Sequence, residues 1–136
     1  MSEQNKGVVE QAYNNFKSGN IEALLDLFAD DITWRLPEME GIPFGGVRTG
    51  RASVADFFAT VGATQESIRF EPGEMIAEGD RVVVLGSYEW KVIPTGRNFS
   101  GRWVHVWTIR NGKATDFDEY TDTAAAVAGH RKAMSA

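Results

Sequence analysis

The sequence predicts a single α+β domain, in which helices pack on one face of a mainly antiparallel sheet. In the first half of the chain, apolar residues recur at helical spacing, and from Glu66 onward they alternate with polar residues as in half-buried strands. Helices that precede a run of strands favour segregated layers rather than alternating βαβ units. The length of 136 residues, with 43% hydrophobic residues, fits one compact domain over residues 1–136.

Three helices are predicted in the N-terminal half. The first begins at Ser2, a capping residue, and ends near Ser18, before Gly19. Asn20 can cap a second helix over 21–29, and a third covers 52–62. Their apolar residues recur at helical spacing and define the inner faces: Val9, Ala12, Tyr13, Phe16, Leu24, Leu25, Leu27, Phe28, Val54, Phe57, Phe58, Val61.

Five strands are predicted, and a Gly- and Pro-rich loop over 38–50 separates the first from the third helix. The strands cover 30–37, 66–79, 81–93, 99–109 and 113–121. The stretch 81–93 is rich in Val and aromatic residues, which favour strands. The tail over 123–133 consists mostly of small residues and is predicted as a loose helix.

Composition excludes several classes of function. The net charge is −5, and no block of Lys or Arg is present, so a nucleic-acid partner is not expected. No apolar run approaches the roughly 18 residues of a membrane span. The polar start, MSEQNKG, lacks the apolar region of a signal peptide, and we expect a cytoplasmic protein. With no cysteine and two histidines, we expect no metal site.

The outer face of the predicted sheet carries Val83, Leu85, Val104 and Val106. A sheet face this apolar is usually covered, and a two-fold partner is the commonest cover. We therefore expect a homodimer.

A histidine lies between two tryptophans in the stretch RWVHVWTIRNG. Trp103 and Trp107 are each two residues from His105, so on a strand all three side chains share one face. Which acidic residue joins this face depends on how the last hairpin closes.

Two registers of that hairpin are open. A two-residue Asn-Gly turn sets His105 opposite Asp118 and turns Asp116 and Asp118 toward the tryptophans. A three-residue Arg-Asn-Gly loop with a bulge sets His105 opposite Phe117 and makes Glu119 its diagonal neighbour. Because two aspartates on an apolar face would each need a partner, burial favours the second register. A slip of one residue exchanges the faces.

The chain resembles a known family in two stretches, GNIEALLDLFADDITWRLP near the start and HVWTIRNGKATDFDEYTD near the end. With the order of elements, they resemble the SnoaL-like and ketosteroid-isomerase-like group of the nuclear-transport-factor-2-like superfamily. The resemblance implies a cone-shaped fold, three N-terminal helices on a curved sheet, and a pocket at the open end. The superfold hosts many reactions, so the resemblance fixes none of them.

The residue-by-residue comparison with this group is mixed. In ketosteroid isomerases the base is an aspartate just before a proline on the first strand, where this chain has Leu36. Their oxyanion-hole aspartate falls at His105, and their tyrosine falls near Ala12, one residue from Tyr13. Polyketide cyclases of the SnoaL type instead have a histidine on the penultimate strand and an acidic base on the last. Those places hold His105 and Glu119 here.

The resemblance thus implies a small cofactor-free enzyme that acts on a hydrophobic cyclic or carbonyl substrate, with His105 and Glu119 as the catalytic pair. A non-catalytic binding domain is one alternative. An epoxide hydrolase is another, although its Asp-Arg-Asp set would use Arg102 and Asp118, which face outward in the favoured register. The residues expected to bind a small hydrophobic molecule are Tyr13, Trp34, Leu36, Phe57, Tyr88, Trp90, Trp103, Trp107 and Phe117.

Overall fold

The computed structural model describes residues 2–131, which form four helices and six strands. The helices are α1 (Ser2–Lys17), α2 (Ile21–Asp26), α3 (Arg51–Thr64) and α4 (Thr123–His130). The strands are β1 (Phe28–Leu36), β2 (Gly46–Thr49), β3 (Gln65–Glu78), β4 (Arg81–Val92), β5 (Asn98–Arg110) and β6 (Lys113–Thr121). No helix in this range is long and apolar enough to cross a membrane.

The six strands form one sheet in the order β2-β1-β6-β5-β4-β3. All neighbours are antiparallel except β1 and β6, which run parallel. Side chains from one face of the sheet join those of the helices in a single core, which includes Trp34, Val84, Trp103, Trp107 and Phe117. The predicted α+β class and mainly antiparallel sheet are therefore confirmed.

Two details of the predicted elements are wrong, and the helix predicted in the tail is confirmed in part. The loop over 38–50 contains the short strand β2, which pairs with β1. The tail forms α4, which adds a fourth helix to the three N-terminal ones and begins where Asp122 Oδ1 accepts a hydrogen bond from Ala125 N. Residues 132 and 133 of the predicted tail helix lie outside the described residues. The second helix ends at Asp26 rather than at 29, because Phe28 is fully buried as the first residue of β1.

The hairpin between β5 and β6 combines features of both predicted registers. Its turn is the two-residue Asn111-Gly112, with φ values of 53° and 77°, so the predicted three-residue loop is wrong. However, the register shifts by one residue between the pairs Ile109–Ala114 and Thr108–Asp116, because Thr115 is an extra residue on β6. Beyond this bulge, Phe117 and Glu119 face the tryptophan side, as they do in the second register.

Candidate functional site

His105 and Glu119 form a direct pair in the middle of the sheet. They lie opposite each other on β5 and β6, not diagonally as expected, and His105 Nε2 is 3.0 Å from Glu119 Oε1. The imidazole is buried, and its centroid is 3.8 Å from that of the Trp103 indole in a stacked arrangement. The stacked indole fixes the plane of the imidazole, and Glu119 fixes the direction of one of its nitrogens.

The second nitrogen of this ring is held by Tyr13 of α1. The Tyr13 hydroxyl is 2.8 Å from His105 Nδ1, and Trp107 Nε1 donates a 3.0 Å hydrogen bond to the same hydroxyl. Burial raises the pKa of Tyr13 far above its usual range, so the phenol keeps its proton. Because its oxygen already accepts from Trp107, the hydroxyl donates to Nδ1, and Nε2–H is left to donate to Glu119.

The imidazole in this chain is neutral near pH 7. Burial lowers the pKa of His105, and the hydrogen bond with Glu119 opposes that shift without reversing it. The four side chains therefore form a continuous series of hydrogen bonds from Trp107 through Tyr13 and His105 to Glu119. The series ends at the carboxyl group of Glu119, whose second oxygen, Oε2, has no hydrogen-bond partner among residues 2–131.

A cavity of about 90 Å³ lies between the sheet and the helices, and His105 and Glu119 are part of its wall. Of the nine residues expected to bind a ligand, the structure brings eight to this wall: Tyr13, Trp34, Leu36, Phe57, Tyr88, Trp90, Trp107 and Phe117. Trp34 and Phe117 stack with ring centroids 3.8 Å apart. The wall is thus largely aromatic, with a carboxylate on one side.

Trp103 does not reach the wall of the cavity. It is 1% exposed and lies between the rings of His105 and Phe70. Its indole crosses Gly86 on the neighbouring strand so closely that a Cβ there would be 2.2 Å from Trp103 Cζ2. Trp103 therefore packs against the face of the His105 ring and does not contact a ligand in the cavity. The space for its indole depends on Gly86, and no local pattern in the sequence indicates that role.

The ligand-facing set omitted several residues that the structure places on the wall. The apolar ones are mostly helix and strand residues, together with three from the loop and tail: Ala12, Phe16, Leu24, Phe58, Val61, Phe70, Phe99, Met39, Phe44, Ala126. Gln65 and Thr121 are the polar residues that were missed. Thr121 is hydrogen-bonded to the Tyr88 hydroxyl, and burial raises the pKa of Tyr88 to about 12.

The other carboxylates of β6 face the opposite side of the sheet. Arg35 Nη1 lies 3.3 Å from Asp116 Oδ1 and 3.4 Å from Asp118 Oδ2. Arg102 is exposed. The Asp-Arg-Asp arrangement expected of an epoxide hydrolase therefore does not form at the cavity from these residues. Within residues 2–131, no group of three or more His, Cys, Asp or Glu side chains could hold a metal ion.

Comparisons with known proteins agree with this architecture. The family model of the SnoaL-like domain matches residues 9–117 of the sequence. An NTF2-like protein from Burkholderia xenovorans LB400 is 31% identical with a TM-score of 0.87, over 96% of this chain and 98% of that chain. An NTF2-like protein of unknown function from Burkholderia pseudomallei K96243 is 32% identical with a TM-score of 0.84, and the match covers 94% of this chain and 97% of that chain.

The protein TerC, in a crystal structure with polyporic acid, is 34% identical to this chain with a TM-score of 0.85, over 93% of this chain and 98% of that chain. No curated protein matches the sequence. Fold and cavity together define an α+β domain of the NTF2-like class. The chain belongs to the SnoaL-like family of that class.

Proposed function

We propose that this protein is a cofactor-independent enzyme that moves a proton on a hydrophobic cyclic substrate at a carbon next to a carbonyl group. The observation that carries the proposal is the Glu119 carboxylate, held by His105 at the wall of an aromatic cavity. Apolar walls would bind the rings, and a positioned carboxylate is a suitable general base.

The reaction follows from this arrangement. Glu119 would take the proton from the carbon beside the carbonyl, and the electrons of the broken C–H bond would form an enolate. In an isomerisation, the protonated Glu119 returns the proton to a different carbon of the same conjugated system. In a ring closure, the enolate carbon instead bonds to a second carbonyl carbon of the substrate, and the resulting alkoxide takes up the proton.

His105 has a supporting role in this proposal. To polarise the substrate oxygen or to shuttle the proton, His105 would need a free ring nitrogen, but both of its nitrogens already have protein partners. We therefore assign His105 as a positioning residue that holds the carboxylate. Glu119 is the residue that contacts the substrate, through Oε2.

The substrate class is an aromatic or polycyclic carbonyl compound. TerC was crystallised with polyporic acid, a quinone with phenyl substituents, and TerC is 34% identical to this chain. The aromatic wall around Glu119 supports a ligand of the same general character here.

The test is deuterium incorporation from D₂O into a panel of cyclic ketones, followed by NMR. This readout detects proton abstraction before the natural reaction is known. Glu119→Gln keeps the shape of the side chain and should reduce exchange at least about a hundredfold, the effect of losing a general base. Asp118→Asn, the adjacent carboxylate on the outer face, is the matched control and should leave exchange unchanged.

A non-catalytic binding domain is the second candidate, and one observation favours it. Each hydrogen-bonding group of Trp107, Tyr13 and His105 is satisfied inside the protein, as expected of a pair that serves structure. On this alternative the natural protein would catalyse no exchange with any ketone of the panel. Glu119→Gln would then lower the melting temperature and leave ligand affinity unchanged.

We also propose that the protein forms a homodimer through the outer face of the sheet. Val83, Val104 and Val106 are only partly buried there, and Leu85 is 39% exposed. The neighbouring Tyr120 is 60% exposed. Light scattering at micromolar concentration should give twice the 15.0 kDa mass of the chain, and a monomer mass would contradict the proposal.

A further inference from the structure

The inner cavity is too small for a substrate with several rings. At about 90 Å³, it is smaller than the roughly 150 Å³ cavity that holds one benzene molecule. A second space, a surface groove of about 400 Å³, adjoins it between α1, α3 and the start of β3. The two spaces share six wall residues: Phe16, Phe58, Val61, Gln65, Phe70 and Trp90. A larger ligand in the cavity can therefore extend into this groove.

Gln65 is the polar residue on this shared wall. It is 5% exposed, and its Oε1 atom is buried with no hydrogen-bond partner among residues 2–131. Its backbone is fixed on two sides, because its N–H donates to Val61 O at the end of α3 and it pairs with Val92 in the sheet. A buried amide left unpaired is destabilising, so its presence calls for an explanation.

We propose that Gln65 is a ligand-binding residue at the neck between the two spaces, and that the ligand is elongated. A polar ring would lie partly in the inner cavity and partly in the neck, with one oxygen substituent at Glu119 and a second at the Gln65 amide. An apolar aryl arm would lie in the outer groove. The amide can act as donor or acceptor, since rotation of its terminal group exchanges nitrogen and oxygen. This inference rests on the proposed function only in placing the reactive ring at Glu119.

Three redox-stable phenols separate the parts of the proposal. Resorcinol has two hydroxyl groups and no arm, 3-phenylphenol has the arm and one hydroxyl group, and 5-phenylresorcinol has the arm and both hydroxyl groups. Isothermal titration calorimetry should show that 5-phenylresorcinol binds most tightly. Failure of 5-phenylresorcinol to bind at millimolar concentration would overturn the proposal.

Gly62→Phe tests the groove. Gly62 lies on the wall of the groove but not of the inner cavity, and a Cβ added there meets no atom within 4 Å. The new ring should weaken the binding of both phenyl-bearing probes at least about tenfold and leave resorcinol unaffected. Ala59→Phe adds the same ring at an exposed position of α3 outside both spaces, and it should change none of the three affinities.

Gln65→Met tests the amide, because methionine has similar length and no hydrogen-bonding group of comparable strength. Affinity for 5-phenylresorcinol should fall roughly 5- to 100-fold, the effect of leaving one buried hydroxyl unpaired. The affinity for 3-phenylphenol should change little, because its single hydroxyl binds at Glu119. The melting temperature should stay the same or rise, since an unpaired buried amide is removed.

Two results would reject the inference. If Gln65→Met leaves the affinity for 5-phenylresorcinol unchanged, the amide serves only structure or a bound water. If Gly62→Phe weakens all three probes equally or none of them, the groove does not hold an arm. These binding measurements need no turnover, so a protein that shows the predicted pattern without deuterium exchange would retain this inference and lose the proposed function.

Discussion

The two faces of β6 carry the same chemical group in different surroundings. On the inner face, Glu119 meets a buried histidine at 3.0 Å, with the two side chains 16% and 6% exposed. On the outer face, Asp116 and Asp118 meet Arg35 at 3.3 and 3.4 Å, and these side chains are between 28% and 43% exposed. The two sets of carboxylates therefore differ more in burial than in the distance to their partners.

The consequences for energy and chemistry differ accordingly. Ion pairs with this exposure contribute about 0–1 kcal/mol, because water competes for both charges. A buried hydrogen-bonded group that loses its partner costs about 1–3 kcal/mol. The inner pair is therefore the one whose geometry the protein maintains. Four experiments test this contrast, beginning with the largest expected effect.

Insertion of one glycine between Thr115 and Asp116 should exchange the two faces. With Thr115 still the extra residue of the bulge, the added glycine would pair with Thr108, set Asp118 opposite His105 and move Phe117 and Glu119 outward. Burying an unpaired carboxylate costs roughly 3–5 kcal/mol, and exposing Phe117 costs about 1.5–3 kcal/mol. Much of a typical stability of about 5–15 kcal/mol would be lost. Thermal melting followed by circular dichroism measures this effect.

A substitution at the bulge provides the control for that insertion. Thr115→Gly introduces the same glycine but keeps one residue between Ala114 and Asp116, so His105 stays opposite Glu119. This protein should keep most of its stability. If the insertion is as harmless as the substitution, the hairpin absorbs a second extra residue and the register of β6 is not held by a one-residue bulge.

Tyr13→Phe should break the series of hydrogen bonds without changing its shape. The substitution leaves His105 Nδ1 and Trp107 Nε1 without their partner, at about 1–3 kcal/mol for each buried group. Chemical denaturation should show this loss. Tyr120→Phe removes a hydroxyl from a residue that is 60% exposed, and it should leave the free energy of unfolding nearly unchanged.

The pH dependence of stability should reveal the buried imidazole. The folded state holds the pKa of His105 below 6.5, so below pH 6.5 the unfolded chain binds the proton more readily. The contribution of His105 to stability is therefore complete above about pH 6.5. It falls as the pH drops toward the lower folded pKa, by at most about 1.4 kcal/mol per pH unit.

Subtracting the curve of His105→Gln isolates this contribution, because all the other side chains are common to both proteins. An NMR titration of the His105 ring gives an independent check in the unsubstituted protein. A folded pKa above 6.5 would show that the charge of Glu119 outweighs burial, and it would reverse the sign of the effect.

Arg35→Met should have the smallest effect. It removes the outer ion pairs while keeping the apolar part of the side chain, and it should change the free energy of unfolding by about 0–1 kcal/mol. Added salt should reduce even this difference, because exposed charges are screened. A loss as large as that of Tyr13→Phe would show that the two faces are not energetically distinct.

The sequence by itself determined the class of the fold and the character of the inner face. Alternating residues identified β4, β5 and β6, with bounds that differ from the structure by at most one residue. The Asn20 cap of α2 was also readable, and its side chain accepts from Ala23 N. These features depend on neighbours in the chain, because periodicity and capping express burial and unpaired backbone groups locally.

Only the tertiary structure decided which groups meet at the site. The bulge at Thr115 depends on the burial of Phe117 and on pairing along the whole hairpin. Tyr13 reaches His105 across 92 residues of chain, and Trp103 is displaced from the cavity wall by its fit over Gly86. Gln65 showed no local pattern at all. Such contacts are fixed by packing between distant elements, where one residue of register exchanges the faces of a strand while local propensity hardly changes.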